Sequence, residues 1–208
     1  MPRPRRSDVI TAFRTSALLD AARRVFGKSG FEAATIDEIA REAGVAKGTV
    51  YLYYRSKRSI YWAALQEGIA ELDARTRERV RRAATLQDAI RDFILTKVEY
   101  FDERREFFRI YVLELSGQAA RPAYGHPEFR PLYQRQVRGL QTAVAAAIAR
   151  GEIRKVDAAQ AAGAIVDLTR GVVTRRLMRR RRARGEADID AIVDLIWRGL
   201  ASKGSLKR

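Results

Sequence analysis

Residues 35–54, TIDEIAREAGVAKGTVYLYY, read as two short helices joined by a tight bend. Thr35 and Glu38 have the spacing of a capping box, in which the threonine oxygen takes the Glu38 N–H and the glutamate reaches back. Ile36, Ile39, Ala40 and Ala43 recur at helical spacing and make one apolar face. Gly44 supplies the bend, Val45 plugs the corner, and Ala46-Lys47-Gly48 opens the second helix. That order is a helix-turn-helix signature. The second helix has few acids and ends in tyrosines, a composition suited to lying against phosphates.

Working outward, Leu18, Ala22, Val25 and Phe26 form the stripe of a first helix over about residues 14–28, stopped by Ser29-Gly30. Ser56 caps a long fourth helix to about residue 82, with Ile60, Ala64, Leu65, Ile69 and Leu72 on its apolar stripe. Helical spacing continues over roughly residues 86–103 and 105–116, and then over 128–150, 158–184 and 189–201. Residues 117–127, rich in Pro and Gly, form the long loop. No alternating segment interrupts this pattern, so the expected fold is all-α. It has about nine helices: a small N-terminal three-helix unit, a connecting helix and a larger C-terminal bundle.

The 208-residue chain holds 41 Lys plus Arg against 25 Asp plus Glu, a net charge of +16. Such an excess favours a polyanionic partner, nucleic acid or an anionic membrane surface. There is no cysteine, and the single histidine, His126, sits between Gly125 and Pro127 in the loop. These counts leave no disulfide framework, thiolate site or His-rich metal site, and they disfavour a Ser-His-Asp triad. No catalytic residues, metal or cofactor are therefore expected, and the chain is not read as an enzyme. The basic N-terminus lacks the apolar run of a signal peptide, and no stretch has the ~20 apolar residues of a spanning helix. The expectation is a soluble, cytoplasmic protein with no membrane partner.

A longer constellation narrows the reading. Leu18-Leu19-Asp20-Ala21-Ala22, Val25-Phe26, Gly30-Phe31, Thr35-Ile36, Ile39-Ala40, Ala43-Gly44-Val45, Lys47-Gly48-Thr49-Val50-Tyr51, Tyr53-Tyr54 and Ser56-Lys57 together resemble the DNA-binding domain of the TetR family. The resemblance covers about the first third of the chain. Lys47, Gly48 and Thr49 lie at the exposed start of the second, recognition helix, where base edges are reached, behind the cap Thr35. The resemblance implies phosphate contacts for Tyr51 and Tyr53 and a phosphate-clamping role for Lys57. Arg58 stands where the family commonly carries an acid and is a candidate additional contact. Tyr54 stands where phenylalanine is frequent. On this reading, residues 1–55 are the N-terminal arm and helix-turn-helix domain. Residues 56–208 are the effector-binding and dimerisation domain, including the connecting helix.

Beyond that window the signals divide. Arg3, Arg5 and Arg6 make a basic arm that is either a minor-groove reader or a solvated tail. Phe93, Tyr100, Phe101, Phe107, Phe108 and Tyr111 cluster on two helices, with Arg109 beside them. Such aromatics build cores. The resemblance implies an effector cavity at the corresponding helices, so Phe93, Tyr100, Phe101, Phe108, Arg109 and Tyr111 are the candidate ligand-binding residues. Arg175–Arg184 contains seven arginines and no acid, either a solvated helix end or an anion site. Ile165, Leu168 and Val172, with Ile189, Ile192, Ile196 and Leu200, form two stripes. They are either internal core or, as the resemblance implies, the seam of a homodimer.

These readings converge on a ligand-responsive DNA-binding transcriptional regulator. The expected behaviour is that of a repressor released from a pseudo-palindromic double-stranded operator. The effector is expected to be a small apolar or aromatic molecule able to carry an anionic group. The alternative is an effector-independent architectural DNA-binding protein, which would have a filled C-terminal core.

Overall fold

The computed structural model describes residues 6–120, 129–178 and 185–201. Arg3, Arg5, His126 and Arg179 to Arg184 lie outside them. Among the described residues there are nine helices and no strand. They are α1 (Arg6–Ala33), α2 (Ile36–Glu42), α3 (Lys47–Tyr53), α4 (Lys57–Arg82), α5 (Leu86–Glu103), α6 (Arg105–Ala120), α7 (Phe129–Ala149), α8 (Ala158–Met178) and α9 (Gly185–Leu200). The all-α expectation holds. α1 begins eight residues earlier than its apolar stripe suggests, and it breaks where expected, at Gly30, whose φ is 77°.

Two compact units emerge, and they divide differently from the sequence boundary at residues 55/56. One gathers α1, α2, α3, α4 as far as Ile69, and α6; the other holds α4 from Ala70, α5, α7, α8 and α9. In the first unit, α6 packs on α1 at closest range beside Gly27, where an added Cβ would lie 2.5 Å from the Glu106 carbonyl oxygen. At Gly68 on α4 an added Cβ would meet the buried Phe107 ring at 2.4 Å. Glycine at both positions is a condition of helix contact. The core around them includes Leu18, Phe26, Ile39, Val50, Ile60 and Leu65, each all but fully buried. Tyr61 stands edge-on to Phe26 and Phe31, with ring centroids 5.0 Å away in each case.

In the second unit α5 is the central element, buried on most of its surface and packed against α7, α8 and α9. It carries the most unusual core group in the protein. Lys97 is 4% exposed, donates to Gln136 Oε1 at 2.7 Å, and lies 4.7 Å from the Phe93 ring centroid. Burial pushes its amine down to about 7, with Asp73 opposing the shift and Arg170 adding to it.

Lys97 therefore carries a proton in the unfolded chain up to pH ~10.4 but sheds it near 7 when folded. Between those values the unfolded state binds more protons, so stability rises with pH, by about 1.4 kcal/mol per pH unit at most. Urea melts from pH 6.5 to 9.5 should show this rise, and Lys97→Met should abolish it while raising stability at pH 7. An equal rise in the variant would mean the folded amine titrates normally.

Candidate nucleic-acid interface and effector cleft

The helix-turn-helix is built as its sequence demands. Thr35 Oγ1 accepts from the Glu38 N–H, and the Glu38 carboxylate accepts from the Thr35 N–H at 2.8 Å, completing the capping box. That pairing holds the Glu38 carboxyl below the usual carboxylate range, chiefly through the Thr35 backbone bond. At the other end of α2, Gly44 takes φ 68°, a left-handed conformation that glycine adopts without steric cost. The Gly44 N–H bonds to Arg41 O, and the Val45 N–H to Ala40 O at 2.9 Å. This is a Schellman turn, and it aims α3 away from α2.

Behind these helices stands Arg23, a residue the sequence reading passed over. Its side chain is 9% exposed and reaches from α1 to α4, donating to Glu67 at 2.9 Å, Asp20 at 2.5 Å and the Ala64 carbonyl at 3.2 Å. An arginine on a helix ordinarily reads as solvated, and its Glu67 partner is 44 residues away. Beside this cluster Tyr54 is half-buried, its hydroxyl pushed up to about 12 first by burial and then by Glu67.

Of the candidate DNA-contact residues, Thr35, Lys47, Gly48, Tyr51 and Arg58 are exposed; Thr49, Tyr53 and Lys57 are half-buried. Lys47 Nζ is tied to Asp37 at 2.8 Å, which holds its amine above the ordinary lysine range. Lys57 Nζ donates to the Glu32 carbonyl at 3.0 Å and sits 4.7 Å from the Phe31 ring centroid. It therefore closes the end of α1 as well as opening α4. Ser56 and Ser59 cap α4 reciprocally, each N–H bonding to the other hydroxyl at 3.1 Å. Leu52, which the sequence reading omitted, is the most solvent-facing large apolar residue on α3, at 83% exposure. At Gly48 a Cβ would meet nothing within 4 Å, so packing inside the chain does not require glycine there.

The six candidate ligand residues are scattered. Tyr100 and Phe101 are buried in the second unit, Tyr100 donating to Glu71 at 3.0 Å; Phe108 and Tyr111 are buried in the first. Arg109 donates to the Gly27 carbonyl at 3.3 Å and borders a polar cleft with Arg24, Arg41, Glu42 and Glu106. Only Phe93 borders the apolar cleft of the second unit. That cleft, about 410 Å³, is lined by α4 from Asp73 to Arg81, by Phe93, and by α7 from Arg135 to Ala146. Its space exists because Gly139, Ala143 and Ala146 of α7 are small. Gln136 is among its lining residues, and Gln136 Nε2 is buried without a hydrogen-bond partner.

The seam residues need correction. Ile165, Val172, Ile189 and Ile196 are each 7% exposed or less within a single chain, because α8 and α9 use those stripes to cover α5. Ile192 and Leu200 are half-buried. Leu168 and the unforeseen Leu195 are 42% and 63% exposed. In the arginine run, Arg175 is exposed and Arg176 pairs with Asp102 at 2.7 Å.

Residues 18–64 match the family model described as bacterial regulatory proteins, tetR family. A fatty acid metabolism regulator protein of Bacillus subtilis is 32% identical over 73 residues, covering 35% of this chain and 38% of that one. A transcriptional repressor of Mycobacterium tuberculosis, KstR2, is 27% identical over 124 residues, 60% of this chain and 62% of that one. The matched stretches thus span less than two thirds of either relative. Among solved structures, the Bacillus subtilis regulator FadR in complex with stearoyl-CoA superposes with a TM-score of 0.71 at 22% identity, covering 87% of this chain and 96% of that one. At that identity the likeness establishes the fold. No helix among the described residues is long and apolar enough to cross a membrane.

Lys57→Ala should weaken binding to all DNA sequences alike and reduce the slope of log affinity against log salt by about one unit. Filter binding across a salt series reads this; an unchanged slope would leave Lys57 with only its Glu32 and Phe31 contacts.

Proposed function

We propose, from the match of residues 18–64 to the tetR family of bacterial regulatory proteins, that this chain is a ligand-responsive transcriptional repressor of that family, acting in the cytoplasm as a homodimer. It binds a pseudo-palindromic operator and leaves it when a small apolar effector is bound. Residues 1–55 carry DNA recognition, and residues 56–208 carry effector binding and dimerisation.

The observation that carries this is the outer face of α3. A glycine inside a helix costs about 1 kcal/mol relative to alanine, and an exposed leucine forgoes about 1.5–3 kcal/mol of burial. Gly48 and Leu52 incur both costs with no return inside the chain. A major groove supplies the return: Gly48 lets the helix approach base edges, and Leu52 offers apolar contact to thymine methyls. Lys47 and Thr49 flank them as base-edge donors, while Tyr51, Tyr53, Lys57 and Arg58 take phosphates.

Release by an effector follows from α4, which belongs to both compact units. Its first half holds Arg23 through Glu67 and Ala64, and its second half walls the apolar cleft. A ligand that favours one position of α4 biases the head attached to it. The same fold holding stearoyl-CoA in a Bacillus subtilis regulator supports an apolar effector with an anionic portion. The open cleft favours this reading over an effector-independent architectural protein, whose bundle would be filled.

Footprinting on DNA upstream of the chain's own coding sequence should protect two half-sites about one helical turn apart. Equal affinity for unrelated DNA would favour the architectural protein instead. For the dimer, Leu168→Asp combined with Leu195→Asp should sediment as a folded monomer that has lost operator affinity, whereas Ile196→Asp should unfold. A double variant that remains dimeric places the interface elsewhere.

A further inference from the structure

Gln136 is the one buried side chain among the described residues with a polar atom lacking a hydrogen-bond partner, its Nε2, and the residue lines the α4–α5–α7 cleft. Its orientation is not arbitrary. An amine has protons to donate, so the Gln136 atom facing Lys97 Nζ at 2.7 Å is the carbonyl oxygen. The Nε2 donor is thereby left for the cleft. Lys97 itself is fixed by its depth and by the Phe93 ring beneath its ammonium, so while the amine is protonated the amide cannot turn over without setting two donors against each other. A buried donor left unsatisfied costs roughly 1–3 kcal/mol. Val80, Phe93, Leu140 and Ala143 of the lining are apolar, and its acceptors are engaged elsewhere: Asp73 pairs with Arg77, and the Thr76 and Thr142 hydroxyls bond to carbonyls of their own helices.

We propose that this cleft binds a molecule with an apolar body and a carbonyl oxygen at its inner end, and that Gln136 Nε2 receives that oxygen. Lys97 acts as the positioning residue that presents the amide. The proposal rests on the ligand-responsive reading above and adds the chemical class: an ester, thioester or ketone in place of a hydrocarbon or an amine. The carbonyl accepts, the amide donates, and the cost of the unpaired donor becomes discrimination against ligands lacking an acceptor.

Gln136→Glu keeps the size of the side chain and an oxygen for Lys97 but removes the donor. Methyl octanoate and 2-nonanone should bind the wild-type protein and bind Gln136→Glu about tenfold or more weakly, as loss of one hydrogen bond implies. Nonane and octylamine should bind the wild type more weakly than either and should not weaken in the variant. Calorimetry at fixed pH reads all four, and circular dichroism confirms that the variant is folded. Should it not fold, Gln136→Met with Lys97→Met, an apolar replacement of the pair, serves in its place with the same expected loss. Equal binding of the carbonyl probes to wild type and variant overturns the proposal, as does failure of both to bind the wild type. Gln136-dependent binding that leaves operator affinity unchanged upholds this site and instead defeats the ligand-responsive reading.

Discussion

A guanidinium with almost no access to water sets the frame of the DNA-facing unit. Arg23 is enclosed between α1 and α4 and satisfied by two carboxylates and a helix carbonyl. Asp20 and Glu67 are themselves 51% and 41% exposed, and removing one leaves the other in place, so the penalty is on the order of 1 kcal/mol. That penalty gives direction to a contact between helices that apolar packing alone leaves free to slide. α1 and α4 are held in one register, and Phe26, Tyr61 and Phe107 fill the space this register creates. Gly27 and Gly68 are consequences of the same register: α6 enters at the two places where no Cβ blocks it.

The second unit is organised by a similar economy around α5, which needs cover on nearly every side. α7, α8 and α9 supply it, and in doing so they spend the stripes that a partner subunit would otherwise use. Among the described residues, Leu168 of α8 and Leu195 of α9 are the large apolar residues these two helices leave exposed. Lys97 and Gln136 are the exception to this apolar packing. A polar pair at that depth destabilises the fold at neutral pH, and a fold keeps such a pair when something outside its own stability depends on it.

Much of this was legible in advance wherever local chemistry sets the answer. The Thr35–Glu38 box, Gly44 and Ser56 each act within one turn of chain, so α2, the bend and the start of α4 stand where the sequence puts them. Gly30 likewise breaks α1 as expected. The start of α1 lay ahead of the stripe read from Leu18, although Val9, Ile10, Phe13 and Ala17 continue its helical spacing. Arg23 escaped because burial of an arginine depends on a partner 44 residues away. The two stripes on α8 and α9 were open to either reading for a different reason. Periodicity reports that a face is covered, not whether the cover is the same chain or another. Of the aromatics on α5 and α6, Phe93 borders the cleft while Tyr100, Phe101, Phe107, Phe108 and Tyr111 are buried, and the cleft opens along the small residues of α7.

The ion pair between Lys47 and Asp37 changes how the charge of this surface should be counted. In solution, a lysine beside DNA phosphates contributes by setting free the ions condensed on them. Lys47 already has a counterion of its own, fixed at 2.8 Å and belonging to the same chain. To touch a phosphate it must abandon a carboxylate, and that carboxylate then faces the polyanion. Against a base edge such as a guanine, the geometry differs: the acceptor is neutral, and Asp37 stays to accept from an amino group nearby. In the proposed interface Asp37 would thus weigh against indiscriminate adhesion, letting a chain with a formal charge of +16 meet DNA without holding equally well to every stretch of it.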